Sequence, residues 1–276
     1  MKPKQHIQAP VARKRFGQHF LTDGSVIEQI LSAAAFTESD CVVEIGPGRG
    51  ALTIPLLARI DKLHAIELDR DLAPRLLDFP GAREKLTVHC ADALKFDFSQ
   101  FDCESGVHLI GNLPYNISTP LLFHLFAVPA RVASMLFMLQ REVVTRLAAS
   151  PGSREYGRLS VAAQFHCQIE PLFDVPPSAF APPPKVDSSV VALFPRKVPP
   201  ADIGDINTFS RLLALAFAQR RKTLRNNVKE VLSDQQIENC GIDPSARAET
   251  LTLQQFADLS RTLHEIQLVT PHGSSR

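Results

Sequence analysis

The sequence of 276 residues lacks the segments that would place a protein in or across a membrane. No apolar run approaches the ~20 residues of a transmembrane helix, and the amino terminus has no apolar core of a secretory signal. That terminus is basic and free of acid before Asp23, as in a mitochondrial presequence. The first motif begins near Arg15, however, which leaves little room for a removable peptide. We therefore expect a cytoplasmic protein with no membrane partner.

Closely spaced cysteine pairs of the CxxC type are also missing. The five cysteines are scattered, odd in number and never spaced as CxxC, at Cys41, Cys90, Cys103, Cys167 and Cys240. This pattern argues against a zinc site and predicts reduced thiols, so we expect no bound metal.

An excess of charge of either sign is absent, and so are internal repeats. The formal net charge is +1, so any affinity for a nucleic acid must come from local basic patches. With 45% hydrophobic and 21% charged residues, the composition is that of an ordinary globular protein. The length suits one large domain with a small one, or two modest domains.

Short apolar strands alternate with helical segments in the amino-terminal half. Strands are predicted at Cys41–Ile45, Leu63–Leu68, Leu86–Cys90, Val107–Gly111 and Ala133–Leu139. Helices are predicted at Val26–Ala35, Ala51–Ile60, Leu72–Leu77, Thr119–Phe126, Glu142–Ala149 and Ser160–Cys167. This alternation predicts an α/β fold with a doubly wound, mostly parallel sheet.

The pattern changes in the carboxyl-terminal part. A proline-dense stretch from Pro171 to Pro200 surrounds two predicted strands, which we expect to be antiparallel at the sheet edge, Gln168–Val175 and Ser188–Phe194. Beyond Asp205 the sequence predicts helices, with one amphipathic run from Phe209 to Leu232 and shorter helices at Asp234–Asn239, Pro244–Ala248 and Leu253–Leu263. We therefore expect a catalytic domain over residues 1–200 and a helical domain over residues 201–276.

A glycine-rich turn and two acidic residues follow three of the strands. Gly46 and Gly48 belong to the turn Glu44–Gly50, whose Gly-x-Gly-x-Gly spacing differs from the Gly-x-Gly-x-x-Gly of dinucleotide sites. Glu44 would repel a pyrophosphate but suits an ammonium or sulfonium group. Glu67 is placed to hold ribose hydroxyls, and Asp92 to accept from an adenine amine. The set predicts an S-adenosylmethionine site at one edge of the sheet.

The segment Asn112–Tyr115 follows the next strand. The Asn112 side-chain oxygen and the carbonyls of Leu113 or Pro114 can accept the two N–H bonds of an exocyclic amine. Tyr115 offers a flat face on which an extruded base can stack. An ordinary turn, with Asn as turn former and Tyr as packing, is the alternative.

Four motifs carry a resemblance to a known family: Arg15–Leu21, Glu44–Gly50, Asn112–Tyr115 and Phe180–Val186. From about residue 13 to the last helices, the chain resembles the bacterial ribosomal RNA small-subunit adenine dimethyltransferases, the kasugamycin-sensitivity dimethyladenosine transferase family. The resemblance implies a class I methyltransferase fold, with a seven-stranded sheet and a small helical domain. It also implies transfer of two methyl groups from S-adenosylmethionine to each of two adjacent adenosines. These lie in the 3′-terminal hairpin loop of small-subunit (16S) rRNA in the 30S particle, so the family acts in subunit biogenesis.

The resemblance also implies roles for individual residues. The cofactor contacts carried over are His19, Leu21, Gly46, Glu67, Asp92 and Asn112, and the same motifs add Gln18, Glu44 and Gly48. The expected catalytic group is Asn112, Leu113, Pro114, Tyr115 and Phe180, with Tyr115 and Phe180 on the two faces of the flipped base. A core position is the alternative for Phe180. One departure is His19, where many relatives have Asn.

A basic segment predicts RNA contact. Six basic residues and no acid lie between Ile206 and Lys229, and we expect Arg220, Arg221, Lys222 and Arg225 to bind rRNA phosphates. A merely solvated charged face is the alternative. Nothing in the sequence requires more than a monomer.

Other functions remain as alternatives. They are a methyltransferase acting on large-subunit rRNA, a DNA adenine methyltransferase, a non-catalytic factor that checks subunit assembly, and a nicotinamide dehydrogenase. The Phe180–Val186 segment and the helical tail favour the small-subunit enzyme. Asn112 disfavours the DNA enzyme, and the glycine spacing together with Asn112–Tyr115 disfavours the dehydrogenase.

Overall fold

The larger of the two sheets has seven strands. The computed structural model describes residues 19–101, 103, 106–127 and 132–269. In the order β4-β3-β2-β5-β6-β9-β7, the sheet contains β4 (Leu86–Cys90), β3 (Leu63–Glu67), β2 (Cys41–Ile45), β5 (Val107–Asn112), β6 (Val132–Gln140), β9 (Ser188–Pro195) and β7 (Cys167–Val175). A separate antiparallel pair joins β1 (Phe20–Leu21) to β8 (Phe180–Ala181). The predicted α/β fold with a mostly parallel sheet is confirmed.

The strand order creates a crevice beside β2, the first strand of this sheet along the chain. From β2 the chain moves outward to β3 and β4 and then returns to β5 on the other side of β2. The pairs β2–β3, β2–β5, β3–β4 and β5–β6 are all parallel. Because the order reverses at β2, the carboxyl ends of β2 and β5 border a topological switch point, where open α/β sheets bind ligands.

Burial explains why the central strands are apolar. Every residue of β2 and β3 is buried, as expected for parallel strands covered on both faces. Glu44 and Glu67 are the carboxylates of these strands, and each lies at or next to a strand end. Acidic groups therefore enter the buried sheet only where it meets the crevice.

The helices are α1 (Gly24–Ala34), α2 (Thr53–Leu57), α3 (Ala82–Lys85), α4 (Ser118–Phe126), α5 (Arg141–Leu147), α6 (Arg158–His166), α7 (Ile206–Ala216), α8 (Leu224–Val228), α9 (Asp234–Asn239) and α10 (Leu253–Val269). The predicted helix Leu72–Leu77 is a 3-10 helix, Ala73–Asp78. No helix formed by the described residues is both long and apolar enough to cross a bilayer.

Two helix predictions in the carboxyl-terminal part are wrong. The run from Phe209 to Leu232 is broken between α7 and α8, because the Asn227 side chain donates to the carbonyls of Ala216 (2.7 Å) and Gln219 (3.2 Å). Those bonds satisfy carbonyls at a helix end, so the chain can turn there. The segment predicted as the helix Pro244–Ala248 instead forms a turn followed by a 3-10 helix at Ala248–Thr250.

The chain divides into two compact units. One contains Met1–Arg141 and Pro171–Ala192, and the other contains Glu142–Glu170 and Leu193–Arg276. The second unit thus includes α6 as well as the helices α7 to α10. The contacts place Glu142–Glu170 with the later helices, so the units are not two consecutive segments. The domain boundary near residue 200 stays a prediction.

The expectation of five reduced thiols is wrong for one pair. Cys41 and Cys103 are joined by a disulfide, with their Cα atoms 6.3 Å apart. Cys41 begins β2, and Cys103 precedes the neighbouring β5 by four residues, so the parallel pairing of these strands brings together residues that are distant in sequence. Cys90, Cys167 and Cys240 are free thiols.

A glycine in β5 allows the strand ends to approach each other. A Cβ atom on Gly111 would lie 2.4 Å from the Ile45 carbonyl oxygen. We expect Gly111→Ala to lower the free energy of unfolding by about 1–3 kcal/mol, because backbone must move to relieve this overlap. Denaturant unfolding measures the effect. Gly24→Ala is the matched control, since nothing lies within 4 Å of a Cβ there; an equal loss in both variants would contradict the steric explanation.

Candidate active site

A pocket of about 1080 Å³, including its open mouth, lies at the carboxyl ends of β2 to β5. Most of the predicted site residues line it: His19, Leu21, Glu44, Gly46, Gly48, Glu67, Asp92, Asn112, Leu113, Pro114 and Tyr115. Gln18 lies outside the described residues. The fold therefore brings motifs that are far apart in sequence to the same pocket.

The glycine turn connects three strand ends. The Gly46 N–H donates to the Ile66 carbonyl in β3 (3.0 Å), and the Gly48 N–H donates to Glu67 Oε2 (3.0 Å). Both glycines have positive φ, 71° and 57°, which favours glycine at these positions. A Cβ on Gly46 would meet Pro114 Cδ at 3.7 Å. The turn is therefore packed against the Asn112–Tyr115 segment.

The Glu67 carboxylate has a structural role at the mouth of this turn. Besides the bond from Gly48, its Oε1 accepts from the Asp69 N–H at 2.8 Å. Burial raises the pKa of Glu67 above its ordinary value, although these backbone donors oppose the shift. Each carboxylate oxygen has a second lone-pair direction and can accept another hydrogen bond. Glu67 can thus hold the turn and a ligand hydroxyl at the same time.

Glu44 is the most deeply buried acid of the site, with 2% of its surface exposed. The Thr53 hydroxyl donates to its Oε2 at 2.6 Å. Burial raises the pKa of Glu44 to about 8, despite the bond from Thr53, and the charge of Glu67 adds to the increase. At neutral pH this side chain is therefore mostly a neutral acid, and a cation in the pocket would favour its ionisation.

Asp92 occupies the wall beyond β4. Its Oδ1 accepts from the Leu94 N–H at 3.0 Å, which closes a short Asx turn. The other oxygen has no partner among the described residues. The turn orients Asp92 while leaving an acceptor for the pocket.

The Asn112 amide has a defined orientation. Its Nδ2 lies 3.0 Å from the His19 carbonyl oxygen. A carbonyl only accepts, so the amide must present its nitrogen to His19 and its oxygen elsewhere. The Asn112 Oδ1 atom consequently remains an acceptor beside the pocket.

The two backbone carbonyls predicted to accept alongside Asn112 differ in whether they already have a donor. The Pro114 carbonyl already accepts from the Ile117 N–H at 3.1 Å. No described donor reaches the Leu113 carbonyl, whereas the Leu113 N–H donates to the Met138 carbonyl (3.2 Å). Leu113 is therefore the better second acceptor for an exocyclic amine.

Tyr115 is held from two sides. Its hydroxyl lies 2.7 Å from Ser188 Oγ, and its ring stacks on the His19 imidazole, with centroids 5.6 Å apart and planes 26° apart. His19 Nδ1 lies 2.8 Å from the Pro182 carbonyl, so Nδ1 carries the proton of that bond. His19 thus donates a hydrogen bond through its ring while the ring stacks on Tyr115.

Phe180 does not line the pocket, which corrects its assignment to one face of the base. Its side chain is 4% exposed and belongs to the hydrophobic core together with Leu21 and Val190. The pairing of β8 with β1, Phe180 opposite Leu21, explains this burial. The structure favours the alternative of a core residue that anchors the proline-rich segment.

Several pocket residues were not identified from the sequence. The Arg49 guanidinium lies 4.2 Å from the centre of the Phe20 ring, and both residues line the pocket with Leu68, Ala93 and Asn116. Leu68 is 49% exposed, although it is apolar. Its position directly after the acidic strand end was the signal that could have identified it, since apolar lining is typical of ligand pockets.

The basic residues predicted to bind RNA lie in the other unit and differ in their contacts. Arg220 donates to the Arg154 carbonyl and lies 3.8 Å from Glu249, and Arg225 lies 3.6 Å from Asp234. Arg221 and Lys222 are exposed in the turn before α8 and form no ion pair with the described residues. Of these four residues, only Arg221 and Lys222 present cations without an ion pair to another described residue.

Within the described ranges, no three His, Cys, Asp or Glu side chains are grouped so that they could hold a metal ion.

The buried Glu44 predicts a pH-dependent stability. Between about pH 4.5 and 8 the unfolded chain loses this proton while the folded chain keeps it, so rising pH lowers stability. We expect Glu44→Gln to gain stability relative to the parent across this window, by up to about 1.4 kcal/mol per pH unit. Unfolding at pH 5 and pH 8 measures the gain, with Glu38→Gln as an exposed control. If the free energies of unfolding of Glu44→Gln and the parent differed by the same amount at both pH values, the raised pKa of Glu44 would be disproved.

Comparisons with known proteins identify the family of this chain. The family described as ribosomal RNA adenine dimethylase matches residues 10–265. A protein of Shewanella sp. (strain MR-7) called Ribosomal RNA small subunit methyltransferase A is 51% identical over 268 residues, which cover 97% of this chain and 100% of the relative. A protein of the same name from Shewanella sediminis is 52% identical over 262 residues, covering 94% and 97%.

Solved structures agree as well. A dimethyladenosine transferase from Plasmodium falciparum has a TM-score of 0.71 at 26% identity, covering 87% of this chain and 96% of its own. The 23S rRNA methyltransferase ErmE shares the fold, with a TM-score of 0.66 at 23% identity over 88% of this chain and 99% of its own. The resemblance seen in the sequence motifs is thereby confirmed, and the chain belongs to the ribosomal RNA adenine dimethylase family.

Proposed function

We propose that this chain transfers methyl groups from S-adenosylmethionine to N6 of two adjacent adenosines in the 3′-terminal hairpin loop of small-subunit (16S) rRNA. The substrate is the maturing 30S particle, and the chain acts as a cytoplasmic monomer in subunit biogenesis. The observation that carries the proposal is the Asn112 amide, fixed by His19 so that its oxygen remains an acceptor. Relatives called small-subunit methyltransferases match almost the entire chain, which supports this rRNA over others.

The pocket fits the methyl donor. Glu67 keeps lone pairs for two ribose hydroxyls, and Asp92 keeps an oxygen for an adenine amine. The exposed Leu68 supplies apolar surface to the same pocket. Gly46 and Gly48 line the pocket without side chains, and Glu44 lines it as well. When bound, S-adenosylmethionine supplies a methyl group activated by a positively charged sulfur.

Asn112 and Leu113 prepare the adenine nitrogen. The lone pair of N6 is conjugated with the purine ring, so the amine is a weak nucleophile. Two acceptors, Asn112 Oδ1 and the Leu113 carbonyl, would bind both N–H bonds and favour a pyramidal nitrogen. Positive charge grows on N6 during transfer, so these acceptors stabilise the transition state more than the ground state. The excess proton leaves to water, and no covalent intermediate with the protein is required.

Tyr115 holds the extruded base. Stacking on an aromatic ring contributes about 1–3 kcal/mol per base. The contacts to Ser188 and His19 fix the ring before the base arrives. Of the two aromatic residues predicted to stack on the base, Tyr115 lines the pocket and Phe180 lies in the core.

Arg221 and Lys222 provide phosphate contacts in this proposal. They are exposed and not engaged by acids among the described residues. Such contacts position RNA without reading its sequence. Because one hairpin is a small target, the shape of the assembled subunit supplies much of the specificity.

The direct test supplies labelled S-adenosylmethionine and under-methylated small subunits, then maps the modified nucleosides. Dimethyladenosine at two adjacent positions of the terminal hairpin is the expected product. Label in large-subunit rRNA alone would favour the other rRNA enzyme, and absence of label with tight subunit binding would favour an assembly factor.

Replacing Asn112 tests the acceptor. In Asn112→Asp the side chain has no donor, so an oxygen faces the His19 carbonyl and the group is no longer oriented. We expect total methyl transfer to fall by about two orders of magnitude, with any remaining product shifted to monomethyladenosine. Nucleoside analysis measures both, and thermal unfolding controls for folding. Unchanged dimethylation would remove Asn112 from the mechanism.

Removing the two exposed cations tests the RNA surface. We expect the double variant Arg221→Ala/Lys222→Ala to bind small subunits more weakly. The slope of log affinity against log salt should become shallower by about one for each phosphate that the variant no longer binds. A control variant, Lys62→Ala/Arg83→Ala, removes the same charge from exposed positions of the other unit. Equal binding by the two variants would argue against a specific interaction at the turn before α8.

A further inference from the structure

A buried serine outside the pocket is bonded to the base-stacking tyrosine. Ser188 begins β9, has no exposed surface, and its Oγ lies 2.7 Å from the Tyr115 hydroxyl. Ser188 is not among the residues that line the pocket. Its effect on a substrate must therefore pass through Tyr115.

This hydrogen bond restricts the ring of Tyr115. The hydroxyl is fixed at one end by Ser188, and the ring is stacked on His19. The side chain is half-buried, and burial raises the pKa of Tyr115, so the phenol remains a neutral hydrogen-bonding group at physiological pH. Rotation about the Cα–Cβ bond of Tyr115 would swing the hydroxyl away and leave the Ser188 hydroxyl without this partner inside the protein, which is unfavourable. The stack on His19 limits rotation of the ring about its own axis.

The two methyl transfers depend on this ring to different degrees. In the first, N6 carries two hydrogens and is held by Asn112 Oδ1 and the Leu113 carbonyl. After it, N6 carries one hydrogen and one methyl group, so only one of the two hydrogen bonds can form. The placement of the monomethylated base then rests on one hydrogen bond and on stacking against Tyr115.

We propose that Ser188 is a positioning residue that holds Tyr115 for the second methyl transfer. The inference deepens the proposed function and rests on it. In each transfer the N6 lone pair forms the new carbon–nitrogen bond, the carbon–sulfur bond breaks with its electron pair left on sulfur, and one N6 proton passes to water. Ser188 takes no part in this exchange and acts only on the orientation of the acceptor base.

The neighbouring residue provides a matched control. Ser189 is also buried, at 4% exposure, but its hydroxyl donates to the Phe173 carbonyl at 3.2 Å and not to Tyr115. Ser188→Ala and Ser189→Ala therefore remove the same atom from adjacent buried positions of one strand. Only Ser188→Ala removes the hydrogen bond to Tyr115.

The experiment follows both rate constants in single-turnover reactions of the full chain with S-adenosylmethionine and under-methylated small subunits. For Ser188→Ala we expect the rate constant of the second transfer to fall roughly tenfold and that of the first by less than about threefold, in the range expected for removal of one hydrogen bond. Monomethyladenosine should accumulate. Tyr115→Phe removes the same bond from the other side and should reproduce the pattern, even if Ser188→Ala folds poorly.

A double-mutant cycle supplies the decisive comparison. If Ser188 acts through Tyr115, Ser188→Ala adds little to Tyr115→Phe, because the bond is already absent. Equal slowing of both transfers, the same product shift in Ser189→Ala, or additive effects in the double variant would each overturn the proposal. Absence of dimethyladenosine with the unaltered chain would instead refute the proposed function itself.

Discussion

The hydrogen bond from the Asn112 amide to the His19 carbonyl decides which atom faces the pocket. A primary amide has a donor end and an acceptor end of nearly equal size, and only a fixed partner distinguishes them. Here the partner is a backbone carbonyl, which cannot donate. His19 is itself fixed through its ring, by Pro182 and by Tyr115. The acceptor is thus oriented by hydrogen bonds and ring stacking that connect the residues next to the β1–β8 pair to the end of β5.

The sheet explains why so many polar groups meet at one place. Since β2 to β5 are parallel, their carboxyl ends share one edge, and the reversal of strand order opens a crevice there. The same arrangement buries Glu44 and Glu67, and burial raises the pKa of both. The number of acidic residues overstates the negative charge of the pocket, because Glu44 is mostly protonated at neutral pH. Glu44 becomes negatively charged when a cation in the pocket offsets the cost of its desolvation.

Residues at strand ends could be predicted from the sequence, whereas side-chain directions elsewhere could not. Glu67, Asp92 and Asn112 follow apolar runs, and parallel strands necessarily place such residues together. Phe180 belongs to one of the family motifs and is for that reason predicted to stack on the base, but its direction depends on a pairing with Leu21 across about 160 residues of sequence. The break between α7 and α8 has a similar origin. It depends on where the Asn227 side chain donates, and the hydrophobic pattern does not encode that bond.

The acceptor and the stacking surface are built in different ways, and this difference matters for a reaction that occurs twice on one atom. The acceptors are fixed by backbone: Asn112 by the His19 carbonyl, and Leu113 by the Met138 carbonyl. They bind hydrogens, and the number of N6 hydrogens falls with each methyl group. The stacking surface binds the face of the purine, which methylation of N6 leaves unchanged. A site that relies on both can keep its substrate aligned while hydrogen bonds to N6 become fewer, provided that the ring itself does not move.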